Sequence, residues 1–102
     1  MSHVRVWKFR PPQGREKEFA DSYAASGRWA ELFGRAQGYR GTELLSPTEP
    51  GGWWLTLDRW EGKADFERFG HDFREEYRAL DTKLEGVAGE EEFVGAFEEP
   101  GE

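Results

Sequence analysis

The chain has no cysteine. Disulfides, thiolate nucleophiles and zinc–thiolate centres are excluded at once. It is short of histidine, with only His3 and His71. No cluster of carboxylates joins either one at a metal-ligand spacing, and Asp65 and His71, six apart, fit no common ligand motif. No metal and no other cofactor is therefore expected. Long apolar runs are missing too: nothing approaches the roughly 18 residues of a membrane span. The opening MSHVRVWKF lacks the apolar stretch of a signal peptide, so a cytoplasmic protein without a membrane partner is expected. Positive charge is in deficit, with 14 basic against 21 acidic side chains and a net charge of −7. That argues against a nucleic-acid partner, because phosphate binding needs a positive face. Ser22, Ser26 and Ser46 lie in no nucleophile motif such as G-x-S-x-G. Gly34, Gly38 and Gly41 match neither a dinucleotide-binding nor a phosphate-binding loop.

What the chain does have is aromatic side chains: 8 Phe, 5 Trp and 3 Tyr in 102 residues. This is the size of one domain, which buries only about two-thirds of its unfolded surface. Association would help so modest a core. Residues 3–10, HVRVWKFR, read as a strand that Pro11-Pro12 terminates. Helical spacing of Phe19 with Tyr23, then of Trp29, Leu32, Phe33 and Ala36, predicts a helix over 14–25 and a second over 27–36, with Ser26 as a candidate cap. Residues 39–46 and 53–60 read as a hairpin around the turn-rich SPTEPGG. Phe66, Phe69, Phe73, Tyr77, Leu80 and Leu84 form a helical stripe over 62–85, interrupted near Gly70. Asp72 with Glu75 predicts a capping box and a fresh helix near residue 73. Residues 91–98 make a last strand, giving one domain over 1–98 and a flexible acidic tail over 99–102.

The order β–α–β–β–α–β predicts an α+β, ferredoxin-like split βαβ fold, with a four-stranded antiparallel sheet and both helical layers on one face. Strand parity then sorts the residues. Val4, Val6, Leu55 and Leu57 are small aliphatics and suit the surface under the helices. The opposite parity carries Arg5, Trp7 and Phe9, then Trp54, Thr56, Asp58 and Trp60. A solvated face should be polar throughout, and so large an aromatic area calls for cover. A second copy packed sheet to sheet would supply it and enclose an aromatic-lined space. Arg5 and Asp58 fit two roles, a cross-strand ion pair or a polar couple in that space.

Taken in turn, VRVWKF, REKEF, GYRGTELL and WWLTLDRWEGKADFERF resemble the antibiotic biosynthesis monooxygenase domain family, over roughly residues 3–97. The resemblance implies a dimeric α/β barrel built from ferredoxin-like subunits. Members of that family include oxygenases that act on polycyclic phenols without metal or flavin, using Asn, Trp and Tyr side chains. Others degrade haem with an Asn on the first strand and a Trp and a His in the second helical region. Here the residues at or near those three positions are Trp7, Phe69 and Tyr77, and the chain has no Asn at all.

The expected reading is a cofactor-independent monooxygenase acting on an aromatic or polyketide-like molecule. Its alternatives are a non-catalytic, ligand-binding dimeric domain and, third, a haem-binding protein. In the first reading Tyr77 hydrogen-bonds a substrate oxygen, Arg5 holds the anion, and Asp58 or His71 accepts the proton. Trp7, Trp29 and Trp54 stack on the rings, with Phe66, Phe69 and Phe73 beside them. Each has a plainer role open to it: packing for the aromatics, a satisfied buried hydroxyl for Tyr77, a loop position for His71. His3 reads as an exposed strand end.

Overall fold

The computed structural model describes residues 2–101. The elements follow the predicted order: β1 (His3–Arg10), α1 (Glu16–Tyr23), α2 (Arg28–Phe33), β2 (Tyr39–Leu45), β3 (Trp54–Trp60), α3 (Lys63–Asp72), α4 (Arg74–Ala88) and β4 (Glu90–Glu98). The sheet order is β2-β3-β1-β4, with every neighbouring pair antiparallel. This is the ferredoxin-like α+β arrangement. No helix among the described residues is long and apolar enough to cross a membrane.

Two predicted caps are not used. Gly27, not Ser26, precedes α2, and no side chain caps it. A Cβ at Gly27 would stand 2.4 Å from the Ser22 carbonyl oxygen, so the α1–α2 junction closes too tightly for any other residue. Asp72 and Glu75 form no capping box. The Asp72 carboxylate meets His71 Nδ1 at 3.0 Å instead. Phe73 bridges α3 and α4: its N–H donates to the Phe69 carbonyl and its own carbonyl accepts from the Tyr77 N–H, both at 2.8 Å. With the backbone bonds continuous through the bend, no cap is required. Gly89 turns α4 into β4 with φ of +65°, and a Cβ there would strike the Arg10 carbonyl.

The parity assignment is reversed. Phe9 packs on Phe19 and Tyr23 with ring centroids 5.3 and 4.9 Å apart. Trp54 meets Phe19 at 5.4 Å, and Trp60 meets Phe33 and Phe69 at 5.6 and 5.3 Å. The helices therefore cover the aromatic face. Val6, Leu55 and Leu57 belong to the open face, as does Val4, although its neighbours bury it. The reason is volume. Helices stand well off a sheet, and the gap must be filled to crystal-like density. Large rings fill it, and short branched side chains would leave voids. His3 follows the aromatic parity, so it too is buried, beside Phe66 at 6.5 Å, and not exposed.

At the C-terminal end, the Glu99 N–H donates to the Ser2 carbonyl, and its carboxylate lies 3.4 Å from Arg59 Nε. Of the predicted tail, Glu102 lies outside the described residues.

Candidate functional site

Between the helices and the aromatic face of the sheet lies a cavity of about 140 Å³ within a single chain, so no second sheet is needed to form it. Its walls are Trp7, Phe9, Tyr23, Trp29, Phe33 and Tyr77. Its polar groups are Thr42, Thr56 and Asp58 from the sheet, with Asp81 and Glu91 at the exposed rim.

Asp58 is the carboxylate on the sheet side of the cavity. It stands directly opposite Arg5 in the β1–β3 register. The two do not form the expected cross-strand ion pair. Asp58 Oδ1 accepts a hydrogen bond from the Thr42 hydroxyl at 2.6 Å. The Arg5 guanidinium lies over the Phe66 and Phe93 rings, 3.8 and 4.6 Å from their centroids. Burial pushes the Asp58 carboxyl up to about 6, against the Thr42 hydrogen bond and the Arg5 charge, both of which pull it down. Thr42 spends its one proton on Asp58, so the Tyr39 hydroxyl, 2.5 Å away, donates to Thr42 Oγ1. The result is a three-member chain, Tyr39 to Thr42 to Asp58.

A bulge makes this chain possible. Tyr39 pairs with Trp60 and Gly41 with Arg59, leaving Arg40 as an extra residue in β2. Residues three apart in a regular strand point to opposite faces. The bulge brings Tyr39 and Thr42 onto the same one.

Tyr23 and Tyr77 add two hydroxyl-bearing side chains to the cavity wall. Burial, reinforced by Glu91 and Asp81, pushes Tyr23 up to about 12, while the nearby Trp29 indole opposes the rise. Tyr77 is also raised, by burial first and by Asp81, with Arg5 pulling the other way. Both phenols stay protonated near neutral pH and act as donors. The Trp29 indole nitrogen is buried without a partner of its own in hydrogen-bond geometry.

The fold brings Trp7, Trp29, Asp58 and Tyr77 together as expected sharers of one space. It separates the others. Phe66 and Phe69 line a second depression, divided from the cavity by Tyr77 and Asp81. Phe73 stacks on Phe69 at 5.4 Å, outside the cavity wall. Trp54 lines a separate groove with Arg10, Pro11 and Glu16. His71 is exposed on the far side of α3, paired with Asp72. Arg5 does not line the cavity, and it acts on Asp58 only through its charge. Phe9 and Thr56 were placed on the face enclosing the space without a named role, and sequence reasoning missed Tyr23, Phe33, Thr42, Asp81 and Glu91 as lining residues. The Phe19/Tyr23 and Trp29/Phe33 helical spacings pointed at Tyr23 and Phe33, but as core. Among the described residues no three His, Asp or Glu side chains lie close enough to hold a metal ion.

No family model and no curated protein sequence matches the chain. Solved structures do. SnoaB, a cofactor-independent oxygenase from Streptomyces nogalater, superposes with TM-scores of 0.77 and, for a point mutant, 0.79. Identity to it is 20%, over 99% of this chain and 95% of that one. A candidate antibiotic biosynthesis monooxygenase from Bordetella bronchiseptica is 23% identical over 97% of each chain, with a TM-score of 0.63. Another, from Nitrosomonas europaea, is 11% identical over 94% of this chain and 88% of that one, with a TM-score of 0.68. Superposing on these structures over nearly its whole length, the chain has the fold of the antibiotic biosynthesis monooxygenases.

Proposed function

We propose that this protein is a cofactor-independent monooxygenase that oxidises an aromatic, polyketide-like phenol in the cavity beneath α2 and α4. One observation carries the reading: a carboxylate at the cavity floor whose pKa is pushed up to about 6 by burial among aromatic rings. Such a group is ionised near neutral pH yet basic enough to take a proton from an acidic C–H or phenol O–H. The Tyr77 hydroxyl donates to the oxyanion that forms, with Tyr23 beside it. An electron-rich anion of this kind reacts with oxygen directly. For an activated methylene the balance is simple: the methylene carbon loses both hydrogens and gains a doubly bonded oxygen. One atom of dioxygen is retained as that carbonyl, and the other leaves with the two hydrogens as water. The substrate supplies all the electrons.

A cavity of about 140 Å³ encloses roughly one aromatic ring. A polycyclic substrate would place its reacting ring inside and the rest past the rim. Haem does not fit this space. Oxygen consumption with a panel of anthrone-like phenols, with no metal added, tests the reading. Uptake that disappears in Asp58→Asn supports it, and saturable binding without uptake favours the alternative of a non-catalytic binding domain. That alternative has its own support, since the Tyr39–Thr42–Asp58 chain satisfies the carboxylate without any chemistry.

The same reading includes a homodimer formed through the open sheet face. Leu55, Leu57, Val6, Leu45 and Phe97 present an apolar surface there, with Leu45 and Phe97 about half exposed. Lys8–Glu92 and Arg59–Glu43 pairs flank it, so the surface carries both signs of charge and can face its own copy. Light scattering over a concentration series tests this, and a monomer at all micromolar concentrations would remove it.

A further inference from the structure

We propose that the cavity selects an organic cation, a single-ring phenol carrying a protonated amine on a short arm. The proposal deepens the reading given above, and it takes from that reading only the identity of the site. Three carboxylates line the space, Asp58 at the floor and Asp81 and Glu91 at the rim, and no Lys, Arg or His does so among the described residues. A carboxylate-bearing ligand meets repulsion at the mouth and again at the floor. A neutral phenol can donate a hydrogen bond to one of them but gains no net Coulombic attraction. A cation gains from all three.

The walls point the same way. Trp29 stands against Tyr77 with centroids 5.0 Å apart and planes tilted by 56°, and against Tyr23 at 6.3 Å and 49°. These rings line the cavity, and an aromatic ring attracts a cation that reaches its face. Elsewhere in the chain the protein supplies its own cations to its rings. Arg5 covers Phe66 and Phe93, Arg35 lies over Phe73, and Lys8 and Arg10 flank Trp53. Among the described residues no cationic side chain sits over Trp7, Tyr23, Trp29 or Tyr77.

The chemistry demands the same charge. Removing a proton from a phenol makes an anion, and here that anion would lie among carboxylates. Arg5, outside the lining, offsets part of this through its charge at Asp58 and Tyr77. A ligand that brings its own ammonium group supplies the missing positive charge at the rim while its ring occupies the interior.

Three matched phenols separate the possibilities: tyramine, which is a cation, tyrosol, its neutral hydroxyl counterpart, and para-hydroxyphenylacetate, an anion. Calorimetric titration of the full chain near neutral pH at low salt should rank them in that order. Tyramine should lead tyrosol by about tenfold or more, and the lead should shrink as salt rises. In the double variant Asp81→Asn/Glu91→Gln, both exposed positions, the lead should shrink, with Asp58 as the one carboxylate left in the lining. The proposal is overturned if the anion or the neutral phenol binds as tightly as tyramine, if the lead is undiminished in the double variant, or if none of the three binds. Oxygen uptake is read separately. Cation-selective binding with no uptake for any phenol removes the monooxygenase reading and leaves this one, and uptake without cation preference does the reverse.

Discussion

On the helix-covered face of the sheet the side chains are large and flat: Trp7, Phe9, Trp54 and Trp60, with Asp58 and Thr56 between them. On the open face they are short and branched: Val4, Val6, Leu55 and Leu57, edged by ion pairs. Both faces are apolar, and the aromatic-walled cavity lies on the helix-covered one. Branched aliphatics pack to a smooth surface suited to another flat surface. Rigid rings fill the deeper space beneath the helices, but rings of fixed shape do not tile it completely, and the remaining gap is where polar groups converge. The face with more apolar bulk is thus the one with room for chemistry.

Truncation should separate the faces most. Trp60, with no exposed surface, touches Phe33, Tyr39, Phe66 and Phe69. Trp60→Ala should cost roughly 3–5 kcal/mol in urea unfolding, and Leu57→Ala, measured at dilution, about 1 kcal/mol or less because its side chain is only partly buried. Equal costs would mean the two faces are equally structural.

Asp58→Asn should lower turnover about 10²- to 10⁴-fold, the usual contribution of a general base. Its effect on stability has the opposite sign. The folded pKa of about 6 lies above the ordinary 3.8, so between those values the folded chain binds the proton more tightly than the unfolded one. Stability therefore falls as pH rises from about 4 to about 6, and this contribution is level above that. Glu91, raised by burial and by Asp81 and Glu85, adds a trend of the same sign. The difference between wild type and Asp58→Asn isolates Asp58. The variant amide can still accept from Thr42, and above pH 6 the variant should be more stable by on the order of 2–3 kcal/mol. Melting curves across pH check this. A variant that is less stable at neutral pH would show that the charge is not a burden there.

Leu57→Asp should abolish association on light scattering while circular dichroism stays native. The smallest effect belongs to Thr42→Val. Loss of the hydroxyl that holds Asp58 down should move the acid limb of the activity profile to higher pH, with little change in the plateau.

Much of the fold was legible. The Phe66-to-Leu84 stripe has a period only a helix can use, and Trp53 to Trp60 reads as a strand between turn signals. The site was legible only in part. Trp7, Trp29, Asp58 and Tyr77 were singled out for their chemistry and do share the cavity. His71 and Trp54 were singled out on the same grounds and lie elsewhere. The difference is position along the element, which the type of residue does not encode. The Tyr39–Thr42–Asp58 chain was out of reach because it depends on the bulge at Arg40. Gly41, with φ of +124°, is the one local sign of it, and a single glycine is ambiguous.

Residue order alone determined the elements, because hydrophobic period and turn chemistry act over a few neighbours. It also determined that each strand has two unlike faces, since strand alternation is fixed by backbone geometry. Which face turns toward the helices was decided only in three dimensions. That choice compares volumes summed over every strand and helix at once, and no single segment carries the sum.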